Sequence, residues 1–174
     1  MRYGKTAALL LLSLCVHAAA SAQATLCISE LLYQPRSGEA EYVELYNAGS
    51  SPVELQDYHI VRWVSDSLGK HYPLPSLRVE SHDYVVLTKD AASVAANYDV
   101  KYPGKVVECS LPTYPNDGGC VVLARADSTV VEKFDYQPSM QSRLLRNKAG
   151  VALERRDMGR PCNEPGNWLS PGHS

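Results

Sequence analysis

Along most of this chain the apolar residues do not recur at helical spacing. They alternate with polar ones or gather in short runs that Gly, Pro, Asn and Asp interrupt. "TLCISELLYQP" starts β-branched and apolar and is stopped by Pro35, which predicts a first strand. "RSGEA" is a turn with Gly38 as its permissive residue. In "EYVELYN", Glu41 to Asn47, Val43 and Leu45 point one way, and Tyr42, Glu44 and Tyr46 point the other. That period of two predicts a strand. It also answers a question of chemistry. Glu41 and Glu44 would share a face on a helix, but on a strand they oppose, so they do not pair across one substrate.

"VELQDYHIVRWV" predicts a short strand, a turn near Gln56-Asp57 and a longer strand. "SDSLGK" reads as a turn, and the proline-broken "HYPLPSLRVE" as an irregular edge. "DYVVLTK", "KVVECS", "CVVLARA", "TVVEKFDYQ" and "GVALERR" complete the strands. "DAASVAANY" is the one good helix pattern, alanine-filled and capped by Asp90. About eight or nine short strands with turn signals between them predict an all-β sandwich or barrel with one short helix. A tail rich in Pro, Gly and Asn follows and holds Trp168.

The first stretch departs from this pattern. "MRYGKTAALLLLSLCVHAAASAQA" opens with Arg2 and Lys5, runs apolar, and ends in small residues, the layout of a secretory signal peptide. Ala20-Ser21-Ala22 places the cut before Gln23. The division is therefore 1–22 as a cleaved leader and 23–174 as a single domain. The apolar run from Ala7 to Val16 falls short of the roughly 20 residues a membrane span needs. Leu14 before Cys15 argues against a lipoprotein. The chain is expected to cross the inner membrane and reside in the periplasm, on the cell surface or outside.

Export changes how the cysteines read. Cys27, Cys109, Cys120 and Cys162 remain in the mature chain, with no Cys-x-x-Cys pair to suggest zinc. Outside the cytoplasm an even count predicts two disulfides. Three pairings are open. Cys109–Cys120, flanking one loop, with Cys27–Cys162 tying the ends, is the favoured one.

Charge narrows the partners. The full chain carries −2, and loss of Arg2 and Lys5 takes it to about −4, against the basic face that nucleic-acid binding needs. One local exception is the run Arg143, Arg146, Lys148, Arg155, Arg156 and Arg160, set against Glu154 and Asp157. It is a candidate anion patch, or a solvated edge whose charges discourage sheet-to-sheet association.

Candidate chemistry is sparse. His59, His71, His82 and His173 stand in no nucleophile signature such as Gly-x-Ser-x-Gly. His71 and His82 read as solvated residues of polar turns. Asn116 and Asp117 in "YPNDGG" could offer oxygens to calcium, but the same residues serve a tight turn. Asp66 in "SDS" has no second acidic cluster beside it. Tyrosine supplies apolar area with a hydroxyl, so Tyr42, Glu44 and Tyr46 form a candidate ligand face. No catalytic residue, metal or cofactor is expected.

The ordered set "ISELLYQP", "EYVELYNAGSSPVELQDYHI", "YVVLTKD", "LPTYPNDGGCVVL", "VVEKFDY", "GVALERR" and "GNW" resembles the lamin tail domain family, in its secreted bacterial branch. The resemblance covers roughly Thr25 to Trp168. It implies an immunoglobulin-like β-sandwich and an interaction module, and it carries over no catalytic or ligand residue. Bacterial members of such a family are often joined to hydrolases. The expected function is a secreted, non-catalytic module of the cell envelope with a protein or glycan partner. The alternative is an accessory unit of a secreted hydrolase or phosphatase, or such an enzyme itself.

Overall fold

The computed structural model describes residues 25–170, so the leader lies outside the described residues. Among the described residues, twelve strands and one α-helix form an all-β, immunoglobulin-like sandwich. The larger sheet runs β12 (Trp168–Leu169), β11 (Leu153–Arg155), β1 (Leu26–Leu32), β2 (Tyr42–Asn47), β7 (Tyr84–Thr88), β8 (Val106–Glu108). The smaller sheet runs β10 (Val130–Tyr136), β9 (Gly119–Arg125), β4 (Tyr58–Val64), β5 (Ser67–Pro73). β3 (Val53–Glu54) and β6 (Arg78–Val79) pair by themselves.

The core follows from alternation. Val43 and Leu45 of β2, Val85 and Leu87 of β7, and Leu153 of β11 face Ile60, Val121, Leu123, Phe134 and Tyr136 of the smaller sheet. Phe134 stacks on Trp168 at 3.7 Å between ring centroids, so the two-residue β12 closes the sandwich with one large side chain. The outer face of the larger sheet has its own apolar cluster, Leu32, Tyr42, Val94 and Ala152. α1 (Ala91–Asn97) lies on that face through Val94. Asp90 caps it as expected, accepting from the Ser93 amide at 2.8 Å.

Two expectations change. "SDSLGK" is only half a turn. Ser65 (φ 47°) and Asp66 (φ 60°) form a two-residue left-handed corner, and Ser67 begins β5. Such a corner matches the twist of the strands it joins. The "HYPLPSLRVE" segment is not one irregular edge. Its first residues finish β5, and after the prolines Arg78–Val79 makes β6. These short pieces raise the strand number above eight or nine.

Candidate functional site

β1 carries an irregularity that builds the site. Ile28 pairs with Leu45 and Glu30 with Glu44, leaving Ser29 as an extra residue in the ladder. Leu26 and Ile28 face the core before the bulge, and Leu31 and Tyr33 after it. Were Ser29 a regular member of the ladder, Glu30 would fall on the core side. The bulge therefore turns Glu30 outward, a familiar use of bulges beside binding sites.

Glu30 then lies between Glu154 of β11 and Glu44 of β2, so three carboxylates cross three adjacent strands in register. The Tyr42 hydroxyl donates to Glu30, and the Ser29 hydroxyl donates to Glu44 at 2.8 Å. Burial pushes the Glu30 carboxyl up to about 7, and the neighbouring Glu44 and Glu154 add to it against the lowering pull of the Tyr42 bond. Burial also raises Glu44, with the Ser29 bond opposing and Glu154 assisting. The Tyr42 phenol is held far above its ordinary range by burial and by Glu30.

These residues floor a cleft of about 550 Å³. Its walls are Val94 of α1, the segment from Tyr98 to Lys105, and Tyr84 and Val86 of β7. Tyr98 meets Tyr42 edge-on at 5.7 Å and donates to Glu39 at 2.7 Å, which fixes the wall to the floor. Lys101 and Lys105 lie over the Tyr102 ring at the rim, 5.3 and 5.0 Å from its centroid. Lys105 is already paired with Asp83. The cleft thus offers an acidic floor, tyrosine walls and a rim whose nearer charge is spent.

Of the candidate ligand face, Tyr42 and Glu44 line this cleft. Tyr46 backs it, its ring tilted 34° against that of Tyr84 at 4.5 Å between centroids and its hydroxyl 3.2 Å from His82 Nδ1. Glu41 points elsewhere, accepting from the Tyr114 amide at 3.1 Å, so the two glutamates of "EYVELYN" do oppose. Glu30, Glu154, Tyr84 and Tyr98 were missed. A legible signal existed for the first: in "CISELLY" strict alternation breaks at Ser29, as a bulge requires.

The basic run does not make one patch. Arg155 shares the inward face of β11 with Leu153, and its side chain is 2 % exposed. It bonds Glu132 at 2.8 Å, the Ile28 carbonyl at 3.2 Å and the Arg160 carbonyl at 2.8 Å. Arg160 pairs with Glu164 at 2.5 Å, and Lys148 donates to the Pro138 carbonyl. Arg143, Arg146 and Arg156 remain exposed. Strand alternation in "ALERR" already puts Arg155 beside Leu153, and a buried charge needs a partner.

None of the four described cysteines is bonded to another in this structure. Cys109 packs against the inner core and Cys120 against the outer cluster of the smaller sheet, on different sides of a strand layer. Cys27 and Cys162 line the same open end of the sandwich, where Met158 Sδ is 3.9 Å from Cys27 Sγ. Burial pushes both of those thiols up to about 12. Asn116 and Asp117 stand in a turn that Gly118 completes at φ 119°. Among the described residues no group of three or more His, Cys, Asp and Glu is arranged to hold a metal. His82 is a turn residue at φ 58°, but His71 is not; it lies in β5. No helix among the described residues is long and apolar enough to cross a membrane.

A sandwich of this topology is of the immunoglobulin-like class. The Lamin Tail Domain family profile matches residues 19–138, more than half of the chain, and the chain belongs to that family. No curated protein matches it. The matched span carries Glu30, Tyr42, Glu44, Tyr84 and Tyr98, whereas Glu154 and the closing strands β11 and β12 come after it.

Proposed function

We propose that this chain is an exported, non-catalytic binding module of a bacterial cell envelope, and that the cleft over β1, β2 and β11 takes a basic side chain of a protein partner. The observation that carries this reading is the row Glu154–Glu30–Glu44 beneath tyrosine walls. Carboxylates attract a cation, and aromatic faces hold one through their quadrupole. The described residues lining the cleft include no Ser, Thr, Cys or His, and Ser29, bonded to Glu44, is not among them, which favours binding over acyl or phosphoryl transfer. The layout of residues 1–22 supports export.

Heteronuclear NMR of residues 23–174 with blocked lysine and blocked arginine amides tests the site. Shifts centred on Tyr84, Val86 and Glu44 are expected, weakened in Glu44→Gln. No perturbation at millimolar ligand, or perturbation by neutral oligosaccharides instead, would overturn the choice of a basic group. A hydrolase and phosphatase screen on the same sample tests the non-catalytic reading, and activity lost with Asp117 or Asp66 would sink it. Signal-peptide processing in a bacterial host, read by intact mass, tests export.

Export would also place Cys27 and Cys162 under oxidising conditions. Peptide mapping without reduction is expected to join those two and leave Cys109 unlinked to Cys120.

A further inference from the structure

On the outer face of the smaller sheet, in the other layer from the cleft, two histidines meet. His59 of β4 and His71 of β5 approach with Nδ1 atoms 3.1 Å apart and rings crossed at 85°. Both rings are half-buried. The positions directly paired with them are Pro73 and Ala124 for His59 and Val61 for His71. None of those side chains can donate or accept a hydrogen bond. Val61 and Ala124 belong to the apolar cluster of this face. The two imidazoles therefore converge on each other over an apolar bed, with no carboxylate in the paired positions.

We propose that His59 and His71 form a two-histidine clip for a transition-metal ion of the Zn²⁺, Ni²⁺ or Cu²⁺ class. Two metal–nitrogen bonds of about 2.0–2.1 Å, opened by roughly 90–110°, hold their nitrogens about 2.8–3.4 Å apart. The observed separation falls inside that window without rearrangement. Imidazole without thiolate or carboxylate suits these ions, and Cu²⁺ should bind most tightly of the series. Antiparallel pairing fixes both backbones, so little freedom is lost on binding. Two protein ligands leave further coordination positions for water or for groups of a partner. The ion binds through Nδ1 of each ring, which must be unprotonated, and one proton is released wherever a ring held one there.

The test needs no identified partner. The mature chain is titrated with CuCl₂ and with ZnCl₂ by calorimetry, and Ni²⁺ or Cu²⁺ is added to an isotope-labelled sample. One ion per chain is expected, with Cu²⁺ tighter than Zn²⁺. Paramagnetic broadening should centre on His71, Val61 and Ala124. His59→Asn and His71→Asn should each weaken binding by more than roughly tenfold, since even outer partners of metal ligands count on that scale. Mapping on the unaltered chain keeps the test sound if a variant misfolds. Broadening centred on His82 or the chain termini, affinity unchanged in both variants, or no uptake at millimolar ion would each overturn the proposal.

Discussion

Asn47 is fully buried, and its amide group donates to the carbonyls of Ser51, Val79 and Glu80 while its oxygen accepts from the Gly49 amide. One side chain thus satisfies the backbone of two loops. Asn47→Ala orphans those buried groups and should cost about 2–4 kcal/mol in chemical denaturation. Asn47→Asp should cost more, because it sets a carboxylate against three carbonyl oxygens. Glu30 gives a second residue-scale outcome. Its folded value of about 7 stands above the ordinary 4.5, so the folded chain holds that proton more tightly than the unfolded chain does. The associated stability is full below about 4.5 and is lost as the pH rises through about 7, on the order of 2–3 kcal/mol. Glu44 is raised too and acts in the same direction. Glu30→Gln keeps an acceptor for Tyr42 and removes the charge. Its stability should exceed the parent's at pH 8 and approach it at pH 4, read from denaturation midpoints; equal midpoints at pH 8 would contradict the assigned burial. Asn47 was legible only as a turn opener, because two of the carbonyls it serves, those of Val79 and Glu80, lie more than thirty residues away.

At the scale of the element, β1 is the informative strand. Its alternation is broken at Ser29, and everything beyond the break faces correctly only because Ser29 is bulged out of the ladder. Deleting Ser29 should remove the bulge and leave Glu30 outward and Leu31 inward, because Ile28 and Glu30 already pair with the consecutive Leu45 and Glu44. Deleting Leu31 instead should send Leu32 inward and Tyr33 outward, since a one-residue slip exchanges the faces. The expected result for the Leu31 deletion is a chain without a cooperative thermal transition, while the Ser29 deletion and Ser29→Ala, which keep the inward residues inward, still fold. β12 makes the same point from the other end. Two residues hydrogen-bonded to β11 matter through Trp168, whose ring stacks on Phe134 and whose indole donates to the Cys162 carbonyl at 2.7 Å. Trp168→Ala should cost about 3–5 kcal/mol, the range for losing a large buried aromatic. The strands rich in Val and Tyr were legible because alternation is a local property. β3 was legible because the turn near Gln56-Asp57 bounds it, whereas β6 and β12 were not, since a two-residue strand shows no period of its own.

For the whole molecule, the pair Arg155–Glu132 joins the two sheets. Glu132 comes from β10 and Arg155 from β11, and both bond Ile28 of β1, the carboxylate taking its amide at 2.7 Å and the guanidinium giving to its carbonyl. The pair completes the hydrogen bonding of β1 where β11 stops pairing with it. Arg155→Ala should destabilise by about 3–5 kcal/mol by leaving Glu132 buried and alone, and Arg155→Met with Glu132→Gln should recover part of that loss. The sequence by itself determined the all-β class, the helix with its Asp90 cap, and the opposition of Glu41 and Glu44. Each rests on neighbours within a few residues, where backbone geometry decides. Only the tertiary structure decided that Glu154, Glu30 and Glu44 form one acidic row, that Arg155 belongs to the interior rather than to a surface patch, and that His59 meets His71. Those facts depend on which strands lie side by side and in what register. Side-chain packing across the sandwich sets that register, and spacing along the chain does not encode it.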